Sequence, residues 1–275
     1  MEFTDVVIEV LDARIPGASQ NPTIKELGAA RQRAHLKILN KSDLADPNVT
    51  DQWIQYFNKI PQTKAVAISC KKVNEPKKIL AICKTLAPHR GDTLKPLRMM
   101  IMGVPNVGKS TLMNAILNRR IAKVGDEPAI TKQQQRHQIN DHMILIDTPG
   151  MMWPKIRYPS DGDLLAANNN IGKNAYFEEE IADKLGGILL EQYPTLLKSR
   201  YKLENLGMDG IALLETIAKK KGFPLKNHGI DMERAAINLL NDYRQGLLGR
   251  ISLETPESRM LMMSHQISQT NENSS

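Results

Sequence analysis

Over the first 150 positions, short apolar runs alternate with amphipathic stretches of helical spacing. Val6 to Leu11 is an apolar, β-branched run that predicts a buried strand. Asn21-Pro22-Thr23 opens a helical stretch reaching about Arg33, with Pro22 suited to its first turn. His35 to Leu39 predicts a second strand ending at Asn40, and Thr50 a cap for a helix holding Trp53, Tyr56 and Phe57. Ala65 to Ile68 reads as a third strand, residues 75–87 as a helix stopped by Pro88, and Leu97 to Met102 as a fourth strand. A glycine-rich loop follows, then a helix from Lys109 to about Asn118. Gln138-Ile139 and Met143 to Ile146 suggest two more strands around an Asn140-Asp141 turn. Strands alternating with helices of this length predict a parallel sheet covered on both faces.

The pattern changes after about Trp153. Between residues 174 and 256 the apolar positions fall at helical spacing, as in Ile211, Leu214 and Ile217 or Ala235, Ala236, Leu239 and Leu240. A separate helical domain is expected there, with the polar run Ser264 to Ser275 as a disordered tail. No internal repeat is visible.

Length and composition narrow the class. A chain of 275 residues accommodates two modules, and 24% charged residues beside 41% hydrophobic ones exclude a fibrous or disordered chain. No run approaches the roughly eighteen apolar residues of a membrane span, and the residues from Met1 to Asp5 carry no export or organelle signal. Cys70 and Cys83 form neither a metal-ligand spacing nor a disulfide framework, which fits a reduced, cytoplasmic setting. The net charge of +7 divides into +10 over residues 1–160 and −3 over residues 161–275. The basic part would attract RNA; a merely solvated basic surface is the alternative.

Three motifs carry chemistry. Gly103-Val104-Pro105-Asn106-Val107-Gly108-Lys109-Ser110 fits the phosphate loop, between a strand and a helix as that loop requires. Its backbone amides would cradle phosphates, Lys109 would reach the β- and γ-phosphates, and Ser110 would offer a hydroxyl to Mg²⁺. Asp147-Thr148-Pro149-Gly150 ends an apolar strand; Asp147 would hold Mg²⁺ and the Gly150 amide would bind the γ-phosphate. Thr131, in a Gly- and Pro-punctuated stretch, would close over Mg²⁺ when the γ-phosphate is present; an ordinary loop residue is the alternative. Asn40-Lys41-Ser42-Asp43 closes the second strand. There the Asp43 carboxylate would accept from guanine N1–H and N2–H₂, a pairing adenine cannot make, while the Lys41 stem lies along the base. Ser69-Cys70-Lys71 resembles the loop that contacts the guanine carbonyl. The reading assigns catalysis to Lys109, Thr131 and Gly150. It assigns nucleotide binding to Asn40, Lys41, Asp43, Ser69, Cys70, Lys71, Asn106, Val107, Gly108, Lys109, Ser110, Thr111 and Gly150.

These segments occur as base motif, ring-contact motif, phosphate loop, then Asp-Thr-Pro-Gly, a rotation of the usual order. With Asp12-Ala13-Arg14-Ile15-Pro16, Trp153-Pro154-Lys155 and Gly249-Arg250-Ile251-Ser252, the chain resembles the circularly permuted, YlqF-type ribosome biogenesis GTPase A family over nearly its whole length. The resemblance implies an α/β P-loop GTPase fold with a permuted, parallel-sheet G domain over residues 1–160. A small all-α domain over 170–260 would follow, and then a tail over 264–275. It implies a monomeric GTP/GDP switch that assists late assembly of the large (50S) ribosomal subunit and meets its rRNA. A permuted GTPase of another RNA–protein assembly, or an RNA-binding protein stabilised by nucleotide, is the alternative. Met151 and Met152 stand where many GTPases carry a water-orienting glutamine, so turnover alone is expected to be slow. Asn106 resembles the asparagine that helps hold K⁺ in potassium-activated relatives, or else only shapes the loop. The rotation also sets Asp147–Gly150 directly before Trp153-Pro154, an expected tether to the helical module.

Overall fold

The computed structural model describes residues 4–22, 33–72, 74–118, 135–148, 156, 158–223 and 229–272. The expected helix over residues 21–33, Thr131, Gly150 and the Trp153-Pro154 tether lie wholly or mostly outside them. Residues up to Lys155 together with those from Glu254 onward form one compact unit, and Ile156–Leu253 form another. No helix among the described residues is long and apolar enough to cross a membrane.

The first unit is built on one six-stranded sheet. Its strands are β1 (Val6–Asp12), β2 (Ala34–Asn40), β3 (Thr63–Ala67), β4 (Leu97–Met102), β5 (Gln135–Asn140) and β6 (Met143–Asp147), in spatial order β3-β2-β1-β4-β6-β5. Five strands run parallel, but β5 lies antiparallel on the edge beside β6. The expected parallel sheet thus carries one antiparallel edge strand, for a geometric reason. Only Asp141 and His142 separate β5 from β6, one position later than the expected Asn140-Asp141, and so short a turn joins antiparallel neighbours only, since a parallel pair needs a crossover. β1 lies inside the sheet between β2 and β4 and is buried along its whole length, which explains its mostly apolar run; its charged members, Glu9 and Asp12, are ion-paired to Lys37 and Arg14.

Helix α1 (Pro47–Asn58) starts earlier than Thr50 suggested. Asp46 caps it, accepting from Asn48 N at 2.8 Å and Val49 N at 3.3 Å, and Pro47 sits in its first turn. Thr50 Oγ1 instead donates to Asp46 O at 2.7 Å. Trp53 and Phe57 of α1 pack onto Leu11, Leu39 and Ala65 of the sheet. Helices α2 (Glu75–Leu86) and α3 (Lys109–Leu117) complete the described crossovers of this unit.

The second unit holds α4 (Pro159–Ala167), α5 (Glu178–Gln192), α6 (Pro194–Tyr201), α7 (Gly210–Lys221) and α8 (Met232–Arg244). Leu214, Ile217, Ala235, Ala236, Leu239 and Leu240 are buried, as the helical spacing predicts, but Ile211 at the start of α7 is 53% exposed. Arg200 grips Asp242 through two 2.9 Å hydrogen bonds, and Tyr201 Oη donates to the same carboxylate at 2.9 Å.

The end of the chain departs from the expectation. Residues 264–275 were expected to be disordered, yet α9 (Pro256–Glu272) runs through most of them and belongs to the sheet-bearing unit. A reciprocal cap starts this helix: Ser258 N donates to Thr255 Oγ1 at 3.0 Å and Thr255 N to Ser258 Oγ at 2.9 Å, with Pro256 next in line. A capped start lets the helix propagate into polar residues whose composition alone argues for disorder. Ahead of it, Glu254 accepts from Ala18 N at 2.8 Å, and its backbone carbonyl accepts from Trp53 Nε1 at 3.0 Å. The helical domain therefore ends at Leu253, not at 260, and the chain returns to the first unit.

Candidate functional site

The loops after β2, β3, β4 and β6 all leave the carboxyl edge of the sheet, where open α/β sheets bind ligands. β2 and β4 flank β1, so segments distant in sequence meet there. Asn40, at the end of β2, donates through Nδ2 to Val107 O at 2.7 Å and so ties the base motif to the phosphate loop. Motif spacing gave no sign of this bond, because Asn40 reads equally as a base contact.

The phosphate loop runs from β4 into α3. Gly103 has φ 151° and Gly108 φ 95°, values that L side chains rarely adopt. A Cβ at Gly103 would lie 2.3 Å from Val10 O, and one at Gly108 would lie 2.2 Å from Asn40 Nδ2. Both glycines are therefore required by close approach as well as by conformation. Asn106 is left-handed too, with φ 57°, so it shapes the loop whatever cation it meets. Lys109 is buried, and its Nζ donates to Gly103 O and Val104 O at 2.8 Å each. Burial pushes this ammonium down to about 8, against the pull of the Asp147 carboxylate. Ser110 and Thr111 lie in the first turn of α3, where amides and helix dipole favour an anion.

Asp147 ends β6 and is 7% exposed. Burial raises its pKa, and Lys109 and His137 only partly oppose that rise. Thr148 is fixed by a 2.8 Å bond from Oγ1 to Ile101 O. A buried carboxylate whose pKa is raised by burial is a donor suited to Mg²⁺. Mg²⁺ takes few protein oxygens and completes its shell with water and phosphate. Among the described residues no cluster of three or more His, Cys, Asp or Glu could hold a metal by itself.

The base side is assembled from β2 and β3. Ser42 N donates to Ile68 O at 3.1 Å and Ile68 N to Leu39 O at 3.0 Å, which locks the two loops together. Asp43 Oδ2 accepts from Lys71 Nζ at 2.8 Å. Burial works against its ionisation, but hydrogen bonds from Lys71 and Ser69 hold the Asp43 carboxyl below its usual range. It is therefore an anion at neutral pH, as a guanine acceptor must be. Ser69 N donates to Glu75 Oε2 at 2.6 Å, a support the sequence did not single out. Burial pushes the Cys70 thiol up to about 11.

A second feature absent from the motif reading is an ionic knot behind Lys41. Lys41 has φ 61° and donates through Nζ to Asp12 Oδ2 at 2.9 Å. Asp12 is fully buried and also accepts from Arg14 Nε at 2.9 Å, Arg14 Nη2 at 2.8 Å and Arg14 N at 3.1 Å. Burial raises the Asp12 carboxyl, but Arg14 and Lys41 overcome that and hold it well below the carboxylate range. The Asp12-Ala13-Arg14 segment thus holds Lys41 in place. Its position at the end of a strand beside the base loop was the available signal.

The 50S ribosome-binding GTPase family matches residues 98–187. The chain is 36% identical over 264 residues to ribosome biogenesis GTPase A of Bacillus cereus, covering 94% of this chain and 88% of that protein. It is 31% identical to mitochondrial ribosome-associated GTPase 1 of Bos taurus, covering 92% of this chain and 83% of that one. Among solved structures, GNP-bound YlqF from T. maritima aligns with a TM-score of 0.64 at 25% identity, covering 94% of this chain and 95% of that chain.

Proposed function

This chain belongs to the ribosome biogenesis GTPase A family and is a GTPase of ribosome assembly, and from that premise we propose that it acts on the large (50S) subunit precursor and its rRNA. The description of the matching family, 50S ribosome-binding GTPase, supports the choice of subunit. The observation that carries the nucleotide reading is the 2.7 Å bond from Asn40 to Val107 O, which joins the rotated motifs in one site. We assign the work of this monomeric switch to the cytoplasm, where bacterial ribosomes are assembled.

In this reading Asp43 accepts from the guanine edge, and Lys41, pinned by Asp12, lies along the ring. The Ser69-Cys70-Lys71 loop lies at the guanine carbonyl. Loop amides from Asn106 to Thr111 bind the phosphates, and Lys109 swings from its own loop carbonyls to the β- and γ-phosphate oxygens. Ser110, Thr131 and Asp147 would hold Mg²⁺, which neutralises charge as it builds on those oxygens. Gly150 offers its amide to the γ-phosphate. Water attacks the γ-phosphorus, the bond to the β–γ bridging oxygen breaks, and GDP and phosphate leave. Met151 and Met152 cannot hydrogen-bond that water, so the intrinsic rate is low and the ribosomal particle completes the site.

Turnover of GTP and ATP, in K⁺ or Na⁺, alone and with purified 50S or 30S subunits, tests this. GTP-selective turnover stimulated by 50S is expected, and a K⁺ requirement would give Asn106 a cation-holding role. Stimulation by 30S alone would redirect the assignment, and no turnover under any condition would leave only a nucleotide-stabilised RNA binder.

A further inference from the structure

At the opposite, amino edge of the sheet lies a cavity of about 660 Å³ that the nucleotide site does not use. Asp5, Arg33 and Gln62 immediately precede or closely approach β1, β2 and β3. His89, Arg90 and Lys95 come from the connection between α2 and β4. Asp5 is engaged on both oxygens, by Arg90 Nε at 3.0 Å and by the Arg98 amide at 2.9 Å. Arg90 is thereby fixed at the wall while its side chain stays 36% exposed. Among the described residues the buried Nε of Arg33 has no hydrogen-bond partner.

Charge decides what such a cavity accepts. Arg33, Arg90 and Lys95 against the single carboxylate of Asp5 leave +2, before any contribution from His89. The carboxyl end of α2 brings only about half a negative charge to the rim. A cavity in which Arg33, Arg90 and Lys95 outnumber the one carboxylate, beside the apolar Ala34, Leu86 and Ala87, suits a phosphate oxygen, and the strongly basic first part of the chain suits the polyanion carrying it. We propose that this cavity seats a backbone phosphate of RNA, giving the GTPase unit an RNA-binding point on the edge away from its nucleotide. The ribosomal reading is needed only to say where that RNA comes from.

The test uses the full chain, a fluorescein-labelled RNA stem-loop and purified 50S subunits. Lys95→Glu, an exposed position whose change leaves the core intact, is compared with Arg33→Glu/Lys95→Glu. Stem-loop affinity is expected to fall several-fold in the single variant and about tenfold in the double one. The slope of log affinity against log salt should flatten by about one for each phosphate that the variant no longer neutralises. GTP affinity and intrinsic turnover should not change. Unaltered stem-loop affinity and salt slope in both variants would overturn the proposal. So would a poly-glutamate peptide that outcompetes RNA on the parent, since the cavity would then be a protein-docking site. If the parent ignores 50S subunits while the variants lose the stem-loop, the ribosomal reading fails and the cavity stands. If the variants bind both as the parent does, the cavity fails and the ribosomal reading stands.

Discussion

Asp12→Asn isolates the ionic knot behind the base motif. The substitution keeps the shape of the side chain but removes the charge that three Arg14 hydrogen bonds and the Lys41 ammonium face. Arg14 is 2% exposed, so its guanidinium would be left buried without its counter-ion. Removing one partner of a buried ion pair costs about 3–5 kcal/mol. For a unit of this size that corresponds to roughly 6–20 °C in Tm. Thermal and urea unfolding followed by far-UV circular dichroism would read it. The acid limb provides a second readout. Because Asp12 ionises well below its ordinary 3.8 in the folded chain, it contributes stability above that pH and loses the contribution as pH falls further. The wild-type chain should therefore weaken below about pH 4 by more than the Asp12→Asn variant does. GTP and GDP affinities should drop together, since the role proposed for Lys41 is at the base and not at the γ-phosphate. A double-mutant cycle with Lys41→Met should give a coupling energy of about 0.5–3 kcal/mol. A Tm within about 2 °C of wild type, with an unchanged acid limb, would refute the argument.

Other substitutions test other parts of the site and the fold. Gly108→Ala sets a Cβ 2.2 Å from Asn40 Nδ2 at a backbone φ of 95°, so GTP and GDP affinity should fall alike by about tenfold or more (a cost of ~1–2 kcal/mol from backbone strain alone) in fluorescent-nucleotide titrations; affinity within twofold of wild type would contradict the steric reading. Asp43→Asn should cost about two orders of magnitude or more in GTP affinity while improving relative affinity for XTP, whose edge accepts an amide N–H; equal losses for both nucleotides would remove Asp43 from base reading. Glu254→Ala leaves the buried Ala18 amide without its acceptor and should lower stability by about 1–3 kcal/mol in denaturant titrations, whereas an unaltered midpoint would mean that the return of the chain is not held there. Cys70 and Cys83, pushed up to about 11 and about 12, should react slowly with alkylating reagents at pH 8 in the folded chain and faster as pH rises. GTP should protect Cys70 further, and fast labelling of Cys70 at pH 8 would show that the loop opens.

The sequence by itself carried the rotated motif order, the strand and helix that flank the phosphate loop, and the change to helical spacing after the sheet. These are legible because backbone geometry fixes them locally. A loop that curls around phosphate needs glycine where φ is positive, as at Gly103 and Gly108. A strand buried on both faces needs a mainly apolar run, as in Val6 to Leu11, where the one charged residue, Glu9, is buried against Lys37. Tertiary structure alone decided what depends on residues far apart in the chain. Asn40 turned out to brace Val107 because β2 and β4 share a neighbour and end on one edge. Asp12 became the anchor of Lys41 because their strands lie in parallel register, with Asp12 opposite Asn40. The last helix joined the sheet-bearing unit through Glu254 and Ala18, 236 positions apart in sequence, where polar composition had argued for a disordered tail. Local patterns record conformational preference, whereas burial and charge pairing appear only once the chain has brought distant side chains together.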